Sequence, residues 1–390
     1  MAERSGRHFL QIPGPTNVPD RVLRAMDMPT IDHRSAEFAE LGRVVLAGMR
    51  TVFQTEAPVV IFPSSGTGAW EAAIVNTLAV GDRVLMCETG QFAVLWRAMA
   101  ERLGLEIVFL PGDWRHGAKA SEIAAKLAAD PLIKAVMVVH NETSTGVTSR
   151  IPDIRAAMDR VGHPALLMVD TVSSLGSIEY RHDAWGVDVT VAGSQKGLML
   201  PPGLGFNAMS AKALGRPGMP RSYWDWREML EPNRAGFFPY TPATNLLYGL
   251  RESLAMLQDE GLGAVFARHA RFGEATRAAV RAWGLDILCQ DPLEYSDVLT
   301  AVVMPEGHDA DRLRAVILER FDMSLGAGLG RVKGRVFRIG HLGSFNDLML
   351  MGTLAGIEIG LAAAGVPHRV GGVLAAMDVL QGRAEAAKAA

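Results

Sequence analysis

The chain has 390 residues, with 39 Lys and Arg against 42 Asp and Glu, a formal net charge of −3, 49% apolar and 21% charged residues. This is the balance of a globular protein of two or three domains, too apolar for intrinsic disorder and without the basic blocks of a nucleic-acid binder. Two cysteines, Cys87 and Cys289, are too few for a disulfide framework or a cysteine-rich metal site, and no metal is expected.

The first residues are polar, without the apolar core of a signal peptide. From there the chain alternates β-rich and helical segments. Val59–Phe62 reads as a buried strand, followed by the turn-like Ser64-Ser65-Gly66-Thr67-Gly68 and the helical Ala69–Leu78. Arg83–Cys87 and Leu105–Leu110 read as strands around a helix at Gln91–Leu103. Ser121–Ala129 reads as a helix with Ser121 as its cap. Ala135–Val139, Ala165–Val169 and Val187–Ala192 continue the strand series, with a helix at Ile154–Val161, and Leu204–Met209 closes it. Continuous apolar strands between helices imply an α/β fold with a mostly parallel sheet covered on both faces.

Gly215–Pro242 is rich in Pro, Gly and aromatic residues and reads as a long structured excursion. A helix over Thr244–Asp259 ends at Gly261, where a domain boundary is placed. The expected organisation is an arm at 1–20, a large domain at 21–260 and a smaller α+β domain at 261–390. The latter is read as a helix at Gly263–Trp283, a strand at Val298–Val303, a helix at Ala310–Arg320, Gly-rich turns, a strand at Val336–Ile339 and a long helix from Asn346. Gly326-Ala-Gly328-Leu-Gly330 is read as a turn, since it lacks the context of a dinucleotide fingerprint. Met349–Val366 carries Glu358 and many small residues, which suits a packed helix better than a membrane span. The Ala-Lys-Ala-Ala ending matches no retention or peroxisomal signal, so the expected location is cytoplasmic.

Three features carry chemistry. Ser64–Gly68, between strand and helix, is either a glycine-rich turn with a hydroxyl cap or a backbone cradle for phosphate. Asp170 ends one apolar strand, and Lys196 follows the next after Gly193-Ser194-Gln195, 26 residues later. Successive parallel strands deliver both to the carboxyl edge of the sheet, where ligands of open α/β folds bind. Taken singly, Asp170 reads as a cap and Lys196 as a surface lysine. Together with the cradle they meet the needs of pyridoxal 5'-phosphate: an amine for its aldehyde, a carboxylate for its ring nitrogen and donors for its phosphate. Arg338, inside the apolar Val336–Gly340, needs a partner; a substrate carboxylate and a structural ion pair are equally open.

Val191-Ala-Gly-Ser-Gln-Lys-Gly197, followed by Leu-Met-Leu-Pro-Pro-Gly-Leu-Gly205, resembles the lysine motif of class V pyridoxal-phosphate-dependent aminotransferases. The likeness is to their serine–glyoxylate branch, with the alanine– and aspartate–glyoxylate branches nearby. It extends through Pro13-Gly-Pro-Thr-Asn17, Asp32-His-Arg-Ser35, His140-Asn-Glu-Thr143, Tyr240-Thr-Pro242 and Phe337-Arg-Ile-Gly-His341. The resemblance implies a fold-type I homodimer. It implies Lys196 as the cofactor-bearing lysine and general base, and Asp170 as partner of the ring nitrogen. Ser65, Gly66, Thr67 and Gln195 would lie at the phosphate, Phe92 and Val172 on the two ring faces, and Thr143 at the phenolic oxygen. Tyr240 and Thr241 would reach the phosphate of the neighbouring subunit, and Arg338 would bind the substrate carboxylate. His33 and Arg34 read either as solvated loop residues or as the substrate entrance. The implied reaction is ping-pong transamination from L-serine to glyoxylate. Alanine or aspartate as donor, a lyase or desulfurase, and a non-catalytic relative are the alternatives.

Overall fold

The computed structural model describes residues 6–383. Its centre is a seven-stranded sheet with the order Val59–Ser64, Gly203–Met209, Val189–Gly193, Leu166–Asp170, Ile133–Val139, Arg83–Cys87 and Glu106–Leu110. Five successive strands, from Val189–Gly193 to Glu106–Leu110, pair in parallel. Gly203–Met209 runs antiparallel to both its neighbours. The strands are buried on both faces, which explains why they read as unbroken apolar runs.

A second, five-stranded sheet has the order Phe9–Gln11, Met323–Ala327, Val336–Gly340, Leu299–Val303 and Asp286–Ile287. Phe9–Gln11 pairs in parallel with Met323–Ala327, so the amino-terminal arm is part of this smaller sheet. Two large apolar clusters follow the two sheets. One runs from Val22 to Val265 and the other from Phe272 to Ala376. The helix Leu262–Trp283 contributes to both. Gly261, which precedes it, has a φ of 81°, a conformation that suits glycine between two helices.

Several expected elements differ. The helix expected from Ser121 spans Ala120–Ala129 with Lys119 at its cap position and no side-chain cap, so Ser121 sits inside its first turn. The strand expected at Val187–Ala192 runs Val189–Gly193. Asp188 stays outside it because its carboxylate accepts the N–H of Leu167 at 2.9 Å. The Gly215–Pro242 excursion contains the helix Trp226–Asn233, capped by Asp225, with the Trp226 indole donating to Asn207 at 3.3 Å. Gly326, expected in a turn, lies in the strand Met323–Ala327, where a β-carbon would stand 2.7 Å from Pro13 and 3.0 Å from Arg338. Strand pairing here depends on close approach, which a turn reading cannot show.

The long carboxyl-terminal helix spans Asp347–Ala363, with Asn346 capping the Met349 N–H at 2.9 Å. Its Gly356 and Gly360 admit Met323 and Ile317 at short range, consistent with packing through small residues. No described helix is long and apolar enough to cross a membrane. Phe337, fully buried in the smaller sheet, anchors the second cluster. Phe337→Ala should destabilise that cluster by about 3–5 kcal/mol, measured by denaturant unfolding.

Candidate active site

The carboxyl ends of the parallel strands converge on a cavity of about 210 Å³ lined by Ser65, Gly66, Thr67, Trp70, Phe92, Val139, Asn141, Thr143, Asp170, Val172, Ser173, Gln195 and Lys196. Ser65 caps the helix Gly66–Thr77, its hydroxyl accepting from the Gly68 N–H at 3.4 Å. The cap reading of this turn is therefore correct. The helix amino terminus also faces the cavity, leaving its first N–H groups available to an anion. Gly66 is needed for close approach, since a β-carbon there would lie 2.6 Å from Val172.

Asp170 is the last residue of its strand and is 3% exposed. One oxygen accepts the Val172 N–H at 2.6 Å and the other the Trp70 indole N–H at 3.1 Å. Burial nevertheless pushes its carboxyl up to about 7, with the Val172 hydrogen bond opposing and nearby Glu142 adding to the rise. Lys196 is likewise buried. Burial first, and then the Arg338 charge, bring its amine down to about 7, against the pull of Asp170. Its Nζ donates to the Pro13 carbonyl. Gly14 beside it has a φ of 97°, and a β-carbon there would stand 2.3 Å from the Lys196 side chain.

Phe92 sits in the first turn of the helix Gln91–Arg102, whose amino terminus is closed by a buried carboxylate. Glu142 accepts the N–H groups of Phe92 at 3.3 Å and Ala93 at 3.1 Å, and the Ser144 hydroxyl at 2.6 Å. A negative charge there is favoured by the helix dipole. Arg338 enters from the smaller sheet. Its guanidinium donates to the carbonyls of Ala327 and Thr143, each at 2.7 Å. Its hydrogen bonds therefore go to carbonyl oxygens, and the structural ion-pair alternative finds no support in them. Burial lowers its pKa to about 10. The Thr143 carbonyl thus links the arginine to the cavity wall.

Among the expected site residues, Tyr240, Thr241, His33, Arg34 and Arg338 do not line this cavity, although Arg338 reaches the Thr143 carbonyl at its wall. His33, Arg34 and Tyr240 share a separate pocket of about 360 Å³ with Phe237, Phe238 and Pro239. Tyr240 stacks on Tyr223 at 4.7 Å. His140 shares a hydrogen bond with the Ser174 hydroxyl at 2.8 Å. Both cysteines are buried and free, with burial pushing each thiol up to about 12. Neither lines the cavity. Trp70, Glu142, Pro13 and Gly14 are the functional neighbours that sequence reasoning left without roles. Pro13, Gly14 and Glu142 lay inside recognised motifs, whereas nothing in the spacing marked Trp70 as a donor to Asp170.

The class-V aminotransferase profile matches residues 8–328. The chain belongs to this family. It is 51% identical over 390 residues to a serine–glyoxylate aminotransferase of Methylorubrum extorquens, covering 97% of each chain. It is 46% identical over 374 residues to an L-aspartate–glyoxylate aminotransferase of Paracoccus denitrificans, covering 94% of each. Its structure superposes on the ureidoglycine–glyoxylate aminotransferase of Bacillus subtilis with a TM-score of 0.90 at 27% identity, over 98% of this chain and 100% of that one.

Class-V aminotransferases work with pyridoxal 5'-phosphate, and the cavity suits it. The helix terminus at Ser65, Gly66 and Thr67 opens toward an anion, with Gly66 allowing close approach. A neutral-leaning amine and a buried carboxyl share the same space.

Two outcomes test this geometry. Gly14→Ala should displace Lys196 and strain a backbone that glycine alone accepts, seen as loss of the cofactor's visible absorbance together with a lowered melting temperature. In the apoprotein, folded Lys196 is neutral above about pH 7, whereas unfolded lysine keeps its proton to about 10.5. Across that window the unfolded state binds the extra proton, so stability should rise with pH. Lys196→Met should remove this rise, and its stability advantage should shrink from pH 7 toward pH 10.5 in urea unfolding.

Proposed function

We propose that this aminotransferase moves the amino group of L-serine to glyoxylate, forming hydroxypyruvate and glycine in two half-reactions. The carrying observation is the pairing of a buried Lys196 amine and a buried Asp170 carboxyl in one cavity, with Arg338 beyond them. Support for serine as donor comes from the name of the relative at 51% identity.

In this reading Ser65, Gly66, Thr67 and Gln195 hold the phosphate, Phe92 and Val172 bracket the ring, and Thr143 meets its phenolic oxygen. When bound, pyridoxal phosphate supplies an electron-accepting ring that stabilises negative charge at the substrate's α-carbon. The remaining work belongs to the chain. Asp170, fixed by Trp70 and the Val172 N–H, presents a carboxylate to a protonated ring nitrogen, and that positive charge favours the ionised carboxyl against burial. Arg338, held at two carbonyls, binds the amino acid's carboxylate and orients the α-hydrogen. Lys196, with its pKa near 7, takes that proton at Nζ and later releases it.

We place Tyr240 and Thr241 at the phosphate of a second subunit in a homodimer, with His33 and Arg34 at the substrate entrance. The position of Tyr240 supports this, since it lies with His33 and Arg34 in a pocket outside the cavity that holds its own chain's Lys196. The division into an arm at 1–20 and domains at 21–260 and 261–390 is supported by the two apolar clusters.

Lys196→Ala should lower turnover by at least about 10²–10⁴-fold. Titrating the holoenzyme with L-serine, L-alanine or L-aspartate, without acceptor, should change its visible absorbance at the lowest concentration for serine, and glyoxylate should reverse the change. Preferential response to aspartate would reassign the donor while keeping the transamination.

A further inference from the structure

A cavity of about 500 Å³ opens between the arm, the helix Asp20–Met26 and the start of the carboxyl-terminal helix, away from the active site. Its apolar wall includes Phe9, Val18 and Met349, and its polar lining includes Gln11 and Arg24. Most of its cations are already engaged. Arg7 pairs with Asp20, His8 with Asp322, and Arg21 with Glu252 and Asp259. Arg24 has no acidic partner or hydrogen bond among the described residues.

Gln11 is the more telling group. It is 2% exposed, yet its carboxamide nitrogen has no hydrogen-bond partner. A buried donor left unpaired costs stability, and such groups are rare without a ligand or a functional reason. The unpaired buried donor beside Arg24, an exposed cation with no counter-charge among the described residues, suits an anion. The apolar wall beside them calls for a hydrocarbon body.

We propose that this cavity binds a small organic carboxylate with an apolar body, its charge met by Arg24 and the Gln11 carboxamide. The site is separate from Arg338 and does not depend on the transamination reading. It lies at the root of the arm: two residues after Gln11, the Pro13 carbonyl accepts the Lys196 amine.

The test is calorimetric titration of the holoenzyme with hexanoate at fixed ionic strength, with acetate as the short-chain probe and hexylamine as the charge-reversed control. Hexanoate should show a saturable site that binds acetate more weakly and rejects hexylamine. Arg24→Ala and Gln11→Leu should each weaken that site by about tenfold or more, a loss typical of a charged hydrogen bond. Gln11→Leu should also leave the melting temperature unchanged or raised, because it removes an unpaired polar group of similar size. Hexanoate binding that is absent, or unaffected by both substitutions, would overturn the proposal. So would a fall in melting temperature for Gln11→Leu, which would give the carboxamide a structural role, or dissociation of the oligomer by Arg24→Ala, which would make the cavity a contact between subunits.

Discussion

The site depends on keeping two ionisable groups, Asp170 and Lys196, out of water at the carboxyl ends of adjacent parallel strands. Burial alone disfavours both charges, and it carries the carboxyl up and the amine down to about the same pH. What makes the arrangement tolerable is a set of fixed partners. Trp70 and the Val172 N–H serve the carboxylate, and the Pro13 carbonyl serves the amine. The Val172 N–H is local to Asp170, whereas Trp70 and Pro13 come from distant parts of the chain, so packing of the helix Gly66–Thr77 and of the amino-terminal arm decides how both groups are held.

The smaller sheet is tied to this centre in two ways. Arg338 donates across to the Thr143 carbonyl, next to the carboxylate of Glu142 that closes the helix carrying Phe92. The arm pairs with Met323–Ala327 at one end. At the other, Thr16 donates through its N–H to the Gln195 carbonyl at 3.1 Å and through its hydroxyl to the Lys196 carbonyl at 3.2 Å. Arg338 and Lys196 are therefore positioned by one connected scaffold. Glycine permits the tightest contacts in it, at Gly14 beside Lys196 and at Gly326 beneath Arg338, where a side chain would collide.

The cavity beside the arm follows a different physical pattern from the active site. In the active site, buried polar groups find partners inside the chain or lie where the cofactor's requirements match them. Gln11 and Arg24 find none among the described residues, although Arg7, His8 and Arg21 around them are paired. That contrast, more than the size of the opening, distinguishes a ligand-shaped gap from ordinary surface relief.

Sequence alone determined the alternation of buried strands with helices, and therefore the mostly parallel sheet. It also placed Asp170 and Lys196 at the same edge, because strand ends and their spacing are local properties. The helix cap at Asn346 and the glycine stop at Gly261 were legible for the same reason. The strand Phe9–Gln11, the strand through Gly326 and the helix inside the aromatic excursion were not, because each is held by a partner distant in the chain: the two strands by each other, and the helix by the Asn76 side chain. The Trp70 indole against Asp170, the Pro13 carbonyl against Lys196 and the unpaired Gln11 belong to the same class. Hydrogen bonds between residues a hundred or more positions apart leave no periodicity behind, so only the tertiary structure decides them.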